Sequence, residues 1–441
     1  MKTQEEQYVQ GLKDTVCRAI DAKAADIVAL AREAERHPEL GFKEVRTAAL
    51  VQDFFEGLGL KCRTGLALTG VRAALPGGSA GPNVAILGEL DAVVCPESPL
   101  ADPLTGAAHC CGHHLQLAAM AGAAAGLAAS GVAGELCGTV TLFAVPAEEY
   151  VEIAYRQRLR EEGKIHFLGG KQELVYRGEF DDIDMAMMIH SQKNMPQPGV
   201  VIGESCNGFI GKTIQYVGRE AHAAEAPDQG VNALNAAMLG LMGIHALRET
   251  FREDDVIRVH PIITKGGDLV NIVPADVRLE TYVRAKTMEA IEATHGKVDR
   301  ALKAGGDAVG AETVIRTIPG YLPLRCSREL NDIFRANAAR FLPPEQILEL
   351  GHFGGSTDMG DISHLMPSLH PFVGGVSGAL HTKNFQVADY AAACILPAKL
   401  LAMTAVDLLA GGAALAKAVQ AAFKPVFTKE QYIERLDCFF S

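Results

Sequence analysis

Ala108-His109-Cys110-Cys111-Gly112-His113-His114 places five side chains able to bind a metal ion in seven consecutive positions. A lone histidine is most often a core or surface residue, but so dense a run of imidazoles and thiols points to a metal centre. Cys111 and His113 stand two residues apart in a loop or at a helix start, ahead of an Ala-rich helix over Leu115 to Ser130. An ion takes donors from several elements, so further ligands must come from elsewhere in the chain.

Outward from this stretch, short apolar runs end on donor residues. Val84 to Leu87 reads as a buried strand and delivers Glu89-Leu90-Asp91. Thr139 to Val145 delivers Pro146-Ala147-Glu148-Glu149, and Met185 to Ile189 delivers His190. His381 lies in Gly378 to Thr382, before a long helix over Ala388 to Leu409. Helices are expected from Thr15 to Arg36 and from Lys43 to Leu58, the second ending at a glycine signal. Strands alternating with helices predict an α/β fold, a mostly parallel sheet with helices on both faces. Ligands bind such sheets at the carboxyl ends of the strands, the edge along which Cys111, His113, Glu149, His190 and His381 could meet.

The pattern changes near Asn207. Strands over Lys212 to Val217, Val256 to Ile263 and Val277 to Val283 alternate with helices over Val231 to Thr250 and Thr287 to Ala304. That is close to β-α-β-β-α-β and predicts an inserted ferredoxin-like α+β domain. The expected organisation is a catalytic domain over 1–206 and 322–441, interrupted by a lid or dimerisation domain over 207–321. The charged segment Tyr155 to Asp184, with Arg156, Arg158, Arg160, Glu161 and Glu162, reads as a solvated helix face. The tail from Ala413 reads as helical.

Apolar residues make up 48% of the 441-residue chain and charged residues 21%, an ordinary globular balance. The formal charge of −12 argues against a nucleic-acid or anionic-membrane binder. Met1 to Lys13 carries no apolar leader core, and the ten cysteines follow no disulfide spacing. A cytoplasmic protein is expected.

Cys111, His113, Glu149, His190 and His381 supply one thiolate, one carboxylate and three imidazoles. That set suits Zn²⁺, Mn²⁺, Co²⁺ or Ni²⁺ better than Ca²⁺ or Mg²⁺, and a thiolate can bridge two ions. The acids Glu148 and Glu149 are adjacent. On an extended segment they point apart, so one can hold metal while the other acts as a base on water. His109 and His114 read as supporting residues. His37, His166, His245, His260 and His295 read as surface or satisfied residues; His352, His364 and His370, in a Gly-rich loop-like region, could line the pocket, though the same plain reading is favoured for each.

Taken together these residues resemble the M20 metallopeptidases, in particular their amidohydrolase branch, which includes hippurate, indole-acetyl-amino-acid and p-aminobenzoyl-glutamate hydrolases. The resemblance runs from about Ala34 to Leu409. It rests on His37 to Glu44, Gly88-Glu89-Leu90-Asp91-Ala92, His109 to His113, Pro146 to Glu149 and His190. It continues through Gly218 to Ala223, Gly266-Gly267, Asn271 to Pro274, Arg284, Gly355 to Asp361 and Leu380-His381. The sequence departs from the family pattern at His114, at Gln116 and over Tyr150 to Ala154.

The resemblance implies metal ligation by Cys111, His113, Glu149, His190 and His381, with one or two divalent transition ions, Mn or Zn. It implies a general-base role for Glu148. His222 would line the active site, its own or that of the partner subunit in a homodimer joined through the lid, and Asn271 and Arg284 would bind substrate. The expected reaction is hydrolysis of a C–N bond, the amide of an N-acyl or N-aroyl amino acid or of an aromatic amine. Other readings stay open: hydrolytic deamination of a nitro-substituted aminobenzoate, a catalytically inactive metal-binding scaffold, and a cysteine hydrolase using Cys111 with His113.

Overall fold

The computed structural model describes residues 4–193 and 195–440; Met1 to Thr3, Asn194 and Ser441 lie outside the described residues. The fold is mixed α/β. The chain divides into two compact units. One takes the chain up to Ser205 with Arg325–Gly351 and Asp361–Lys429; the other takes Cys206–Leu324, His352–Gly360 and the residues from Glu430.

In the first unit six strands form a mixed sheet, in the order Cys62–Leu66, Gly70–Pro76, Cys137–Val145, Ser79–Glu89, Met185–Met187 and Ser368–Leu369. The first three are antiparallel neighbours. From Cys137–Val145 onward the pairs are parallel. Val84 lies opposite Val140 and Met185, and Glu89 opposite Val145. Three chains therefore leave the sheet along one edge, which carries Leu90-Asp91, Pro146 to Glu149 and, two residues beyond Met188, His190 towards one place. His190–Ser191 pairs in parallel with Phe372–Val373, fixing that histidine's backbone.

The helix His113–Ala129 is buried from His113 to Leu127. It packs on the helices Gln4–Ala22, Ala24–Arg36 and Leu396–Leu409 and on the Ser79–Glu89 strand. Its Ala/Gly composition suits this, because small side chains let neighbours approach on every side. Gly112 precedes it at φ 94°, where a Cβ would stand 2.6 Å from Ser191 Oγ. Only glycine fits there. Among the described residues one helical stretch, 391–409, has the length and hydropathy of a membrane span, and 83% of it is buried.

In the second unit the strands Arg258–Val259, Asp276–Ala285, Gly208–Val217 and Glu312–Pro319 lie in that order, all antiparallel, with Ile262–Lys265 also on Asp276–Ala285. Val277, Leu279, Thr281, Val283 and Ala285 alternate as the buried residues of their strand, and all but Thr281 share an apolar core with the helices Ala233–Leu247 and Met288–Asp307. Asn232 caps the first helix by accepting from the N–H groups of Leu234 and Asn235. Thr287 caps the second through Ala290.

Several elements differ from expectation. The first helix is two, broken at Lys23. The strand expected over Val256 to Ile263 is interrupted at His260-Pro261, since proline cannot donate to a ladder. The sheet has an antiparallel side that the strand–helix alternation did not suggest. Arg156, read as a solvated charge, is 1% exposed.

Candidate metal centre

Two sets of donors converge on one sulfur. Cys111, His113 and His190 form one group whose ligating atoms all lie within 4.8 Å of one another; Cys111, Glu149 and His381 form another. Cys111 Sγ stands 3.3 Å from His190 Nε2 and 3.2 Å from His381 Nε2. His381 Nε2 is 3.0 Å from Glu149 Oε1. Donors that share one ion at tetrahedral angles stand roughly 3–4 Å apart, so both groups have the dimensions of ion sites. His113 Nε2 and Glu149 Oε1 are buried without a hydrogen bond. Such atoms are costly unless something else satisfies them. The thiolate, imidazole and carboxylate set therefore fits a divalent transition ion.

The surroundings aim these donors. His113 Nδ1 donates to the Asp91 carbonyl at 2.8 Å, and His190 Nδ1 to the Ser191 carbonyl at 2.8 Å. In both rings Nε2 is thereby turned toward the cluster. Asp91 Oδ2 accepts the backbone N–H of Glu149 at 2.8 Å. His381 holds φ 59° and donates its backbone N–H to Cys110 O at 2.8 Å. Ala147, beside the acid pair, holds φ 53°. Left-handed backbone at non-glycine residues costs energy and gathers where geometry is tightly specified.

Burial and the Glu149 carboxylate push the Cys111 thiol up, but His190 and His113 outweigh them and bring it down to about 6. Cys111 is thus a thiolate at neutral pH. Glu149 in turn raises His381 to about 11. Glu148 is 8% exposed, with Oε2 3.9 Å from His113 Nε2.

His109 and His114 face each other instead of the donor cluster, ring centroids 5.1 Å apart, and His114 meets the edge of Phe385. Burial, helped by His113, lowers His114 to about 3 and keeps its ring neutral. Gln116 braces a carboxylate: its Oε1 accepts the Glu89 N–H at 3.1 Å and its Nε2 donates to Glu89 Oε2 at 2.9 Å.

Two residues of the charged segment went unrecognised in the sequence. Arg156 donates through Nη1 to Ala147 O at 3.2 Å and Leu168 O at 2.7 Å, and through Nη2 to Glu149 O. Its guanidinium also lies over the rings of Phe42 and Tyr150. It pins the backbone on both sides of Glu148. Lys171, fully buried, reaches Glu89 Oε1 at 2.6 Å. The only sequence signal for either was its place within about 25 residues after the acid pair.

His222, Asn271 and Arg284 belong to the second unit. His222 is exposed, and its Nδ1 accepts from the N–H groups of Ala224 and Glu225 at 3.3 and 3.0 Å, leaving Nε2 outward. Asn271 lies beside it, its carbonyl accepting from Ala223 N at 2.9 Å. Arg284 lies over the rings of Phe209 and Tyr282 at 5.5 Å.

Residues 85–403 match the model of peptidase family M20/M25/M40. The chain belongs to this family. It is 31% identical to the Xaa-Arg dipeptidase of Mus musculus, over 96% of the chain and 94% of the relative. It is 25% identical to the N-acyl-L-amino acid amidohydrolase of Geobacillus stearothermophilus, over 71% and 81%. The fold is shared with a dinuclear metal-binding peptidase of the M20 family from Bacillus subtilis, with TM-score 0.65 and 22% identity over 88% and 99%. This M20 protein is a metal-dependent hydrolase of amide or peptide bonds that binds divalent metal. An inactive scaffold is thereby set aside.

Proposed function

We propose that the protein cleaves the amide bond of a small substrate that carries a free amino-acid carboxylate, a dipeptide or an N-acyl or N-aroyl amino acid. The observation that carries this reading is the pair of three-donor groups sharing Cys111, with Glu148 beside them. Cys111, His113 and His190 would hold one ion and Cys111, Glu149 and His381 a second, with Mn²⁺ and Zn²⁺ as the candidates. A divalent ion supplies Lewis acidity, polarising the scissile carbonyl and making water easier to deprotonate.

The chain's own residues do the rest. Glu148 takes a proton from the attacking water as its oxygen bonds to the carbonyl carbon, and returns it to the nitrogen as the C–N bond breaks. Arg156 and Asp91 hold the segment that carries this base. The second unit, with its β-α-β-β-α-β order, serves as a ferredoxin-like lid and dimerisation domain. His222 would stabilise charge developing on the carbonyl oxygen, in its own subunit or the partner's, while Asn271 and Arg284 bind the carboxylate. A homodimer in the cytoplasm, with neither nucleic acid nor membrane as partner, completes the reading. The −12 charge supports the part of it that excludes nucleic acid and anionic membranes.

The test is turnover by chelator-stripped protein reloaded with Mn²⁺ or Zn²⁺ alone. The panel is dipeptides ending in Arg or other residues, N-acetyl and N-benzoyl amino acids, and aminobenzoates, reading free amine and ammonia separately. Metal-dependent release of an amino acid supports the proposal. Ammonia from an aminobenzoate, with every amide left intact, sinks it.

A further inference from the structure

Behind the five residues already discussed lies a fully buried acid that they leave out. Glu89 ends the Ser79–Glu89 strand with 0% exposure. Its Oε2 stands 3.1 Å from His113 Nε2, the nitrogen that faces the cluster because Nδ1 is committed to Asp91. That contact lacks hydrogen-bond geometry, and His113 Nε2 makes no hydrogen bond; Glu148 Oε2 stands farther off, at 3.9 Å. Glu89, His113 and Glu148 also have ligating atoms within 4.8 Å of one another. The spacing is that of two ligands of one ion, and a second buried atom is thus aimed at the same point.

The rest of Glu89 is organised to keep it there. Gln116 takes one lone pair of Oε2 and grips the Glu89 N–H, so the side chain cannot rotate away. Oε1 is held by Lys171 Nζ, itself fully buried. A buried carboxylate with a single buried cation would be a closed pair. Here the pair is not closed, because Oε2 faces away from the ammonium and toward His113.

We infer that Glu89 is a further ligand of the ion held by His113, and that Lys171 is its counter-charge. The inference rests on the proposed metal centre. It makes the two ions unequal. Glu89, weakened as a donor by Lys171, approaches one ion from the His113 side, where Glu148 also lies; the other ion has Cys111, Glu149 and His381. Gln116, a departure from the family pattern, is then explained as the brace of this extra ligand.

The test is metal binding by the intact protein, measured as stoichiometry by mass spectrometry after dialysis and as affinity by titration with Co²⁺. Visible spectra report the d–d bands and the thiolate charge-transfer band. Glu89→Gln keeps size and hydrogen bonding but removes the donor charge. It should lose one of two ions, or weaken it about 100-fold or more, beyond the range of a residue that only braces a ligand. Its d–d bands should change while the thiolate band persists. Lys171→Met should bind the same number of ions with equal or higher affinity. Should Glu89→Gln fail to fold, Glu89→Asp carries the same expectation, because the shorter acid cannot reach. Two ions bound by the Glu89 variant with unchanged affinity and d–d bands would overturn the inference. So would equal loss of metal in the Glu89 and Lys171 variants, which marks a structural pair. A wild-type protein that binds no ion sinks the metal centre itself, a different failure.

Discussion

Asp91 ties the two halves of the centre together: its carboxylate accepts the Glu149 backbone N–H at 2.8 Å, while its carbonyl accepts His113 Nδ1 at 2.8 Å. Asp91→Ala removes the first of these, and with it the 3.3 Å approach of Asp91 Oδ1 to His113 Nδ1. It also leaves a buried N–H unpaired next to a ligand. Metal affinity should fall about 10–100-fold, the range for a residue that orients ligands. Competition with a chelator of known affinity reads this, and an affinity within twofold of wild type contradicts the role.

Glu148→Gln preserves shape but cannot take a proton. Turnover on the best amide of the panel should drop by about 10²–10⁴, with metal content unchanged. Loss of metal along with activity would make Glu148 a ligand and not a base.

Cys111 belongs to both donor groups. Cys111→Ala should therefore lower metal content at both positions, where His381→Ala should affect one. Elemental analysis after dialysis compares them. Equal residual metal in the two variants would deny the shared sulfur.

Arg156 is read by its burial. Arg156→Met leaves the Leu168 carbonyl oxygen without its partner and the Glu149 carbonyl with the Val151 N–H alone. Stability should fall by about 2–3 kcal/mol, with a drop in kcat that Arg156→Lys only partly restores. A denaturant melt and a kcat measured well below the transition check both parts.

Metal removal should lower thermal stability, since ion binding to the folded state adds roughly 2.7 kcal/mol when free ion is 100 times Kd. The expected result is a Tm that falls on chelation and returns on adding Mn²⁺ or Zn²⁺. A Tm indifferent to both would mean that the donors are satisfied without an ion.

What could be read in the sequence was set by spacing along the chain. Cys111 and His113 are neighbours, and Glu149 and His190 each follow an apolar strand, so residue type and local pattern placed them. Lys23, the break in the first helix, carries no glycine or proline signal. Arg156 looks like its neighbours Arg158 and Arg160, because its burial depends on the carbonyls of a corner formed by other segments. The Lys171–Glu89 pair spans 82 residues, and nothing local announces it. The antiparallel side of the sheet depends on a hairpin, Cys62–Leu66 with Gly70–Pro76, whose partner strand was legible while its direction was not.

Cys111 and His381 meet across 270 residues. During synthesis the side chains of the first donor group have all emerged with His190, but the Phe372–Val373 strand that fixes His190 follows much later, and the second group waits for the whole second unit and the chain beyond it. Long-range closures of this kind come late in folding. The nascent chain therefore carries most of its donors long before either group can close. Loading is safest after release from the ribosome.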